Sequence, residues 1–175
     1  MEPIPEQLGQ QGVTTRNSAQ SKHGGAKVRV PPPLVFLGLI AGGAALQHSP
    51  WAFALAFAPW LRIVAGAGFA LLGLATVVSA RVWFTRTGQH PAPWKPSPQL
   101  LSQGIYHYTR NPMYLGLTLF QFGLGIALDN AWIAGFSLIA LIVVHFSAVR
   151  AEEAYLTEKF GDSYLQYKAA VRRYL

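Results

Sequence analysis

Two long apolar runs, Leu61 to Phe84 and Ala131 to Ala148, constrain this chain more than any other feature. The first carries Arg62 and Arg81 only near its ends, and the second holds no Lys, Arg, Asp or Glu. Runs of this length match the roughly 20 predominantly apolar residues that cross a bilayer core of about 30 Å. Two shorter runs, Pro33 to about Gln47 and Met113 to Leu128, reach the same length by drawing on flanking Pro, Tyr or His, and tilt or local thinning absorbs the remainder. The rival architecture is a soluble bundle with an unusually apolar core. It is disfavoured because these runs show little of the amphipathic alternation that a solvated helix needs. The expected fold is therefore an all-α integral membrane protein with about four transmembrane helices, spanning about 33–48, 61–84, 112–128 and 131–149.

The charges are sorted along the chain. Arg16, Lys22, Lys27 and Arg29 precede the first run. Arg81, Arg86, Lys95 and Arg110 sit between the second and third, and five more basic residues follow the fourth. Only Arg62 falls near a loop on the other side. By the positive-inside rule, both termini and the long middle loop are cytoplasmic. The net charge of +7 is thus mainly an orientation signal. No Lys/Arg stripe interleaved with aromatics supports the competing reading, a nucleic-acid surface. With no cysteine, disulfides, thiolate metal sites and cysteine nucleophiles are excluded. Residues 1–30 are polar and weakly patterned, which predicts a disordered cytoplasmic tail leading into a retained first span rather than a cleaved signal peptide. Residues 31–175 then form a single membrane domain.

Three polar segments punctuate the runs. The middle loop, Arg86 to Arg110, contains HPAPWKPSPQLLSQG; its prolines forbid a helix, and its Trp and leucines predict an ordered layer against the cytoplasmic helix ends, the alternative being a floppy connector. Asn111-Pro112 reads as an N-cap followed by proline at the first helical position. That start points the positive end of the third span at the interface, where carboxylates and phosphates are favoured. Tyr106, His107 and Arg110 lie just outside it, Met113 and Tyr114 in its first turn. Taken singly, these residues also suit an interfacial aromatic belt with an arginine anchor.

Beyond the fourth span, VRAEEAYLTEKFGDSYLQYKAAVRRYL predicts two helical pieces, one stopping at Gly161 and one capped by Asp162 and running over about 162–174. On the latter, Phe160, Tyr164, Tyr167, Val171 and Tyr174 share one face, opposite Lys168, Arg172 and Arg173. Such a helix docks on a membrane surface or folds back to close a site. Arg150 and Glu153, three apart, can pair, and Glu152 falls seven after His145 on one face. Adjacent carboxylates where an apolar span meets water need partners; a solvated ion pair of little energetic consequence is the plainer account. If Asp129-Asn130 is a tight turn, Asn111 and Arg150 emerge together, and both clusters face one cytoplasmic pocket suited to a zwitterion.

The run LLSQGIYHYTRNPMYLG, followed after the hairpin by VRAEEAYLTEKFGDSYLQYKAAVRRYL, resembles the C-terminal signature of the isoprenylcysteine carboxyl methyltransferase and phospholipid methyltransferase superfamily. The resemblance covers about Gln99 to Leu175. It implies an integral membrane enzyme that uses S-adenosylmethionine without a Rossmann domain. It further implies cofactor contacts at Gln99, Leu100, Leu101, Tyr106 and the Arg110, Asn111, Pro112, Met113, Tyr114 turn, with Glu152 or Glu153 as an acidic cofactor contact or proton acceptor. Arg150 resembles the arginine near the substrate. Asn111 stands where the eukaryotic isoprenylcysteine enzymes have histidine, a form similar to the bacterial branch.

The resulting expectation is an S-adenosylmethionine-dependent methyltransferase in a membrane, by its resemblance the bacterial inner membrane, acting on a lipophilic or small carboxylate, amine or thiol acceptor. Arg150 and Glu153 are its catalytic candidates. Nucleic acid is not an expected partner. Two rivals belong to other classes: a sterol-reductase-like enzyme using a nicotinamide cofactor, for which the chain is short, and a non-enzymatic multi-span subunit. The second usually carries ionisable residues within its spans, where this chain has only His145.

Overall fold

The computed structural model describes residues 30–88 and 97–174, together with Ala26, Val28, His90, Ala92 and Lys95. The expected tail lies almost wholly outside the described residues, as do Pro91, Pro93, Trp94 and Pro96 of the middle loop. Among the described residues every regular element is helical.

Four apolar helices form the body: α1 (Pro32–Gln47), α2 (Pro59–Arg86), α3 (Pro112–Ala127) and α4 (Ala131–Val144). Three begin with proline in the first turn, where its missing N–H costs nothing and its fixed φ suits a helix. At 28 residues, α2 is about 42 Å long, more than a hydrocarbon core of about 30 Å. Helix α4 runs without a break through a π turn (His145–Val149) into α5 (Arg150–Phe160), 30 residues in all. The apolar part of that rod ends at Val149, and the charged α5 projects beyond it. Helices α1 and α3, at 16 residues each, are about 24 Å long. Among the described residues there are thus two helices long and apolar enough to cross a membrane, and two shorter apolar ones.

The exterior of the body is apolar, and polar side chains are found within it. Leu71, Leu72, Ile142 and Phe146 are exposed, whereas Gln121, Ser137 and Thr118 are buried. An apolar exterior of this extent suits lipid. Between the helices the polar groups bond to backbone: Gln121 Nε2 donates to Ile133 O and Thr118 Oγ1 to Tyr114 O.

Close packing is set by glycine. Helices α2 and α3 run antiparallel with Gly66 against Gly123 and Gly73 against Gly116; a Cβ at Gly73 would lie 2.4 Å from Phe120 N and 2.5 Å from Gly116 O. Small residues at such crossings let backbones approach to van der Waals distance, the main source of helix association in lipid. Gly43 of α1 meets Ile133 of α4 in the same way.

The expected two-residue hairpin is present. Asn130 caps α4, its Oδ1 accepting from Ile133 N at 3.0 Å, while Nδ2 donates to Gly43 O at 3.1 Å. Asp129 takes a positive φ of 56°, pairs with Arg62 and accepts from Leu55 N. Successive helices being antiparallel, the ends Pro32, Arg86, Pro112 and Val149 lie at one end of the bundle, and the site is built there.

Two boundary expectations are corrected. Gly161, with φ of 53°, occupies the cap of α6 (Asp162–Ala170), so Asp162 is the first residue within that helix rather than its cap. And α6 stops at Ala170, with Val171 already extended at φ −120°, ψ 132°.

Candidate functional site

Beyond the apolar body, the middle loop, the start of α3, and α5 with α6 enclose a cleft that is partly open to solvent. Gln99, Leu100 and Leu101 line it from the loop, Tyr106 from the 3-10 turn Gly104–His107, and Arg110 to Tyr114 from the α3 start. Glu152 and Glu153 complete it from α5. The described loop residues His90, Ala92 and Ser97 also reach the cleft. Gly104 shapes the turn: its φ of 60° is in the left-handed region, and a Cβ there would meet the Trp83 ring at 1.8 Å.

Asn111 occupies the N-cap position of α3, yet its side chain makes no cap. Instead Nδ2 donates to Arg173 O at 3.2 Å, where Thr109 Oγ1 also donates at 3.1 Å. The first-turn amides of α3, which have no acceptor within the helix, are left without that cap.

Arg110 is the central cation. Its side chain is only 8% exposed and stands with Nη1 3.3 Å from Glu153 Oε1, close enough for attraction but not aligned as a hydrogen bond, so that Nε and Nη1 have no hydrogen-bond partner. Buried donors of this kind call for an anion. Glu153 is already engaged, accepting from Arg173 Nε and Nη2, each at 2.8 Å. Burial works to raise its carboxyl, but the Arg173 hydrogen bonds with the charges of Arg110, Arg173 and Lys168 hold it below the usual range.

Glu152 is the contrasting acid. Burial pushes its carboxyl up to about 7, against a hydrogen bond from the Tyr114 hydroxyl that favours the charged form, while the Glu153 charge adds to the rise. Tyr106 packs edge-on to Phe84 at 5.9 Å and its carbonyl accepts from Tyr167 Oη at 2.6 Å; burial, then the Glu152 charge, raises its phenol. The cleft therefore holds one carboxylate kept charged and one carboxyl raised from the ordinary 4.5 to about 7, the kind of divergence found at functional sites.

Every residue expected to contact a cofactor lines this cleft, and so does Glu153, but Arg150 does not. Arg150 is exposed, its guanidinium over the Phe146 ring at 5.8 Å, and the expected pairing with Glu153 gives way to Arg173 and Arg110. Arg150 and Glu153 both follow the π turn, so it does not part them from each other; what it breaks is the count from His145. The Arg150 amide bonds to His145 O, five residues back. One extra residue in a turn rotates all that follows by about 100°. Positions eight apart then share a face: His145 Nδ1 meets Tyr174 Oη at 3.0 Å while Glu153 meets the adjacent Arg173. The expectation that Glu152 shares the His145 face is corrected accordingly; Glu152 turns toward Tyr114.

Sequence reasoning did not anticipate Tyr155, Leu156 or Phe84 in the cleft wall. Tyr155 Oη accepts from Ser97 N at 3.2 Å, tying α5 to the loop. Tyr164 and Tyr167 do reach the cleft, as the shared apolar face of the final helix suggested. Arg173, expected on the opposite face, turns inward because the helix has already ended.

The wall also fits the expected methyl donor in charge. S-adenosylmethionine carries a carboxylate, an ammonium and a sulfonium beside an adenine ring. Arg110 supplies uncommitted donors for the first, Glu152 an acid for a cation, and Leu100, Leu101, Met113 and Tyr106 an apolar and aromatic lining.

A sequence profile described as Phospholipid methyltransferase matches residues 61–163 of the chain. The Protein-S-isoprenylcysteine O-methyltransferase of Schizosaccharomyces pombe is 35% identical over 108 residues, 59% of this chain and 45% of that protein. The Saccharomyces cerevisiae protein of the same name is 32% identical over 72 residues, 41% of this chain and 30% of that protein. An uncharacterized protein of Haemophilus influenzae is 43% identical over 65 residues, 36% of this chain and its own full length. The chain thus spans less than half the length of the two yeast relatives it matches.

Proposed function

The chain belongs to the phospholipid methyltransferase family, and from that premise we propose that it is a membrane-associated methyltransferase that takes its methyl group from S-adenosylmethionine. The observation that carries this reading is the pair formed by Arg110, with buried and unbonded guanidinium donors, and Glu152, with a carboxyl near neutrality, in one cleft at the end of an apolar bundle. When bound, S-adenosylmethionine supplies an electrophilic methyl group on a sulfonium.

The protein's part is to bind, orient and exclude water. Arg110 and the open first turn of α3 hold the donor's carboxylate. Glu152 holds its ammonium. The Tyr164–Tyr167 side of α6 and the loop at Ser97 and Gln99 cover the cleft, so that the reactants meet out of water, where proximity and orientation supply most of the acceleration. For an amine or thiol acceptor, Glu152 also takes up the proton lost from the acceptor, a role suited to a carboxyl near 7; a carboxylate acceptor needs no base.

The acceptor is read as lipophilic or small, entering from the bilayer beside the α3 start. Arg150, at the rim over Phe146, is placed to meet an anionic group of such an acceptor at the membrane surface. The cleft end is assigned to the cytoplasm, because Arg81, Arg86, Lys95 and Arg110 gather there while Arg62 alone, paired with Asp129, marks the other end. Four spans follow from that assignment.

Titration calorimetry of the detergent-purified chain with S-adenosylmethionine and S-adenosylhomocysteine tests the reading. Saturable binding of both is expected. Absence of binding to either overturns it.

A further inference from the structure

Arg173 is not in the cleft wall, yet it determines how an arginine of that wall is used. Its Nε and Nη2 donate to Glu153 Oε1 and Oε2, each at 2.8 Å. Across the same carboxylate stands Arg110, 3.3 Å away and without aligned hydrogen bonds from Nε and Nη1. A planar carboxylate gives its paired, in-plane geometry to one guanidinium fork at a time. Here that geometry goes to Arg173, leaving Arg110 with a compensating charge beside it and its Nε and Nη1 donors uncommitted.

The backbone delivers Arg173 to this place. Arg110 N donates to Arg172 O at 3.0 Å, and Thr109 Oγ1 and Asn111 Nδ2 both donate to Arg173 O. The extended residues after Ala170 are thereby laced to the segment that carries Arg110. The same bonds hold the Asn111 side chain away from the α3 cap, so the helix end and the guanidinium remain open together.

We propose that Arg173 is a positioning residue that, by holding Glu153 in a bidentate pair, keeps the Arg110 guanidinium available to the carboxylate of the methyl donor. The inference rests on the reading of the cleft as an S-adenosylmethionine site. Without Arg173, the oxygens of Glu153 turn to Arg110, and that new pair closes the anion position from within. Glu153 is then the competitor that Arg173 restrains.

The test compares two ligands on the full chain in detergent: S-adenosylhomocysteine, and 5′-methylthioadenosine, which keeps the nucleoside thioether but lacks the carboxylate. Arg173→Ala weakens S-adenosylhomocysteine by about tenfold, the equivalent of one charge-assisted contact, and 5′-methylthioadenosine by less than about twofold. Adding Glu153→Gln to that variant removes the competitor and restores most of the lost affinity. Arg173→Lys, which keeps the charge without the fork, gives an intermediate value. Equal weakening of both ligands, unchanged S-adenosylhomocysteine binding, or no recovery in the double variant each overturns the proposal. A wild-type protein that binds neither ligand overturns the methyl-donor reading beneath it.

Discussion

The Tyr114 hydroxyl donates to Oε1 of Glu152, joining the first turn of α3 to α5 across the hairpin. Two opposed effects meet in that bond. Burial favours the neutral acid and the tyrosine favours the carboxylate; burial wins, and the carboxyl titrates near 7 instead of 4.5. A group whose folded pKa is raised contributes stability that is complete below its unfolded pKa and is lost as pH rises through the folded value. Relative to Glu152→Gln, the wild type therefore loses thermal stability between about pH 4.5 and pH 7 and levels off above. Tyr114→Phe removes the bond that lowers the carboxyl, so the loss extends to higher pH. Melting temperatures from pH 4 to 9 in detergent check this; a wild-type minus Glu152→Gln difference that does not vary with pH sinks it.

Gly73→Ala tests the packing of α2 on α3. The added Cβ would press on Phe120 N and Gly116 O at 2.4 and 2.5 Å. These are backbone atoms that cannot rotate aside, so the helices must part. Overpacking of this kind costs about 1–3 kcal/mol, read as a lower melting temperature in detergent. Gly68→Ala, where a Cβ meets nothing within 4 Å, is the control and does not lower the melting temperature, alanine being also the better helix former.

These glycines mark the limit of what one sequence discloses. Helix starts were legible at Asn111-Pro112 and at the Asp129-Asn130 turn, because proline and asparagine act locally through φ and side-chain geometry. Which glycine meets which is decided by the crossing of two helices, and glycine is too common in apolar runs to announce it. The cleft was legible for the same reason as the helix starts: most of the lining residues singled out in the sequence cluster in two short segments that the hairpin brings together. Glu152 and Arg173 were misplaced by counting along an ideal helix. The π turn at His145 and the early end at Ala170 each break that count.

Asn130→Ala removes two bonds at once, the cap on α4 and the donor to Gly43 O. Loss of a cap costs about 0.5–2 kcal/mol, and the lost bond to the Gly43 carbonyl adds to it. Asn130→Asp keeps the cap acceptor but not the donor, and falls between wild type and alanine in melting temperature. An Asp variant no more stable than the alanine variant contradicts the assigned cap.

Arg110 and Arg150 sit on opposite sides of one argument. Arg110 is buried in the cleft with donors unmet, whereas Arg150 is exposed over Phe146 outside it. If the cleft holds the methyl donor, Arg110→Ala weakens S-adenosylhomocysteine binding by about tenfold to a hundredfold, since a charged hydrogen-bonding partner is worth about 1.5–3 kcal/mol. Arg150→Ala leaves that affinity within about twofold, as a surface residue remote from the ligand should. Any effect of Arg150 then falls on the acceptor, raising its KM while the KM for S-adenosylmethionine stays put. Calorimetry on the two variants, followed by methyl-transfer kinetics with each substrate varied in turn, separates the two arginines. A larger loss of S-adenosylhomocysteine affinity in Arg150→Ala than in Arg110→Ala would place the donor outside the cleft and reverse the assignment.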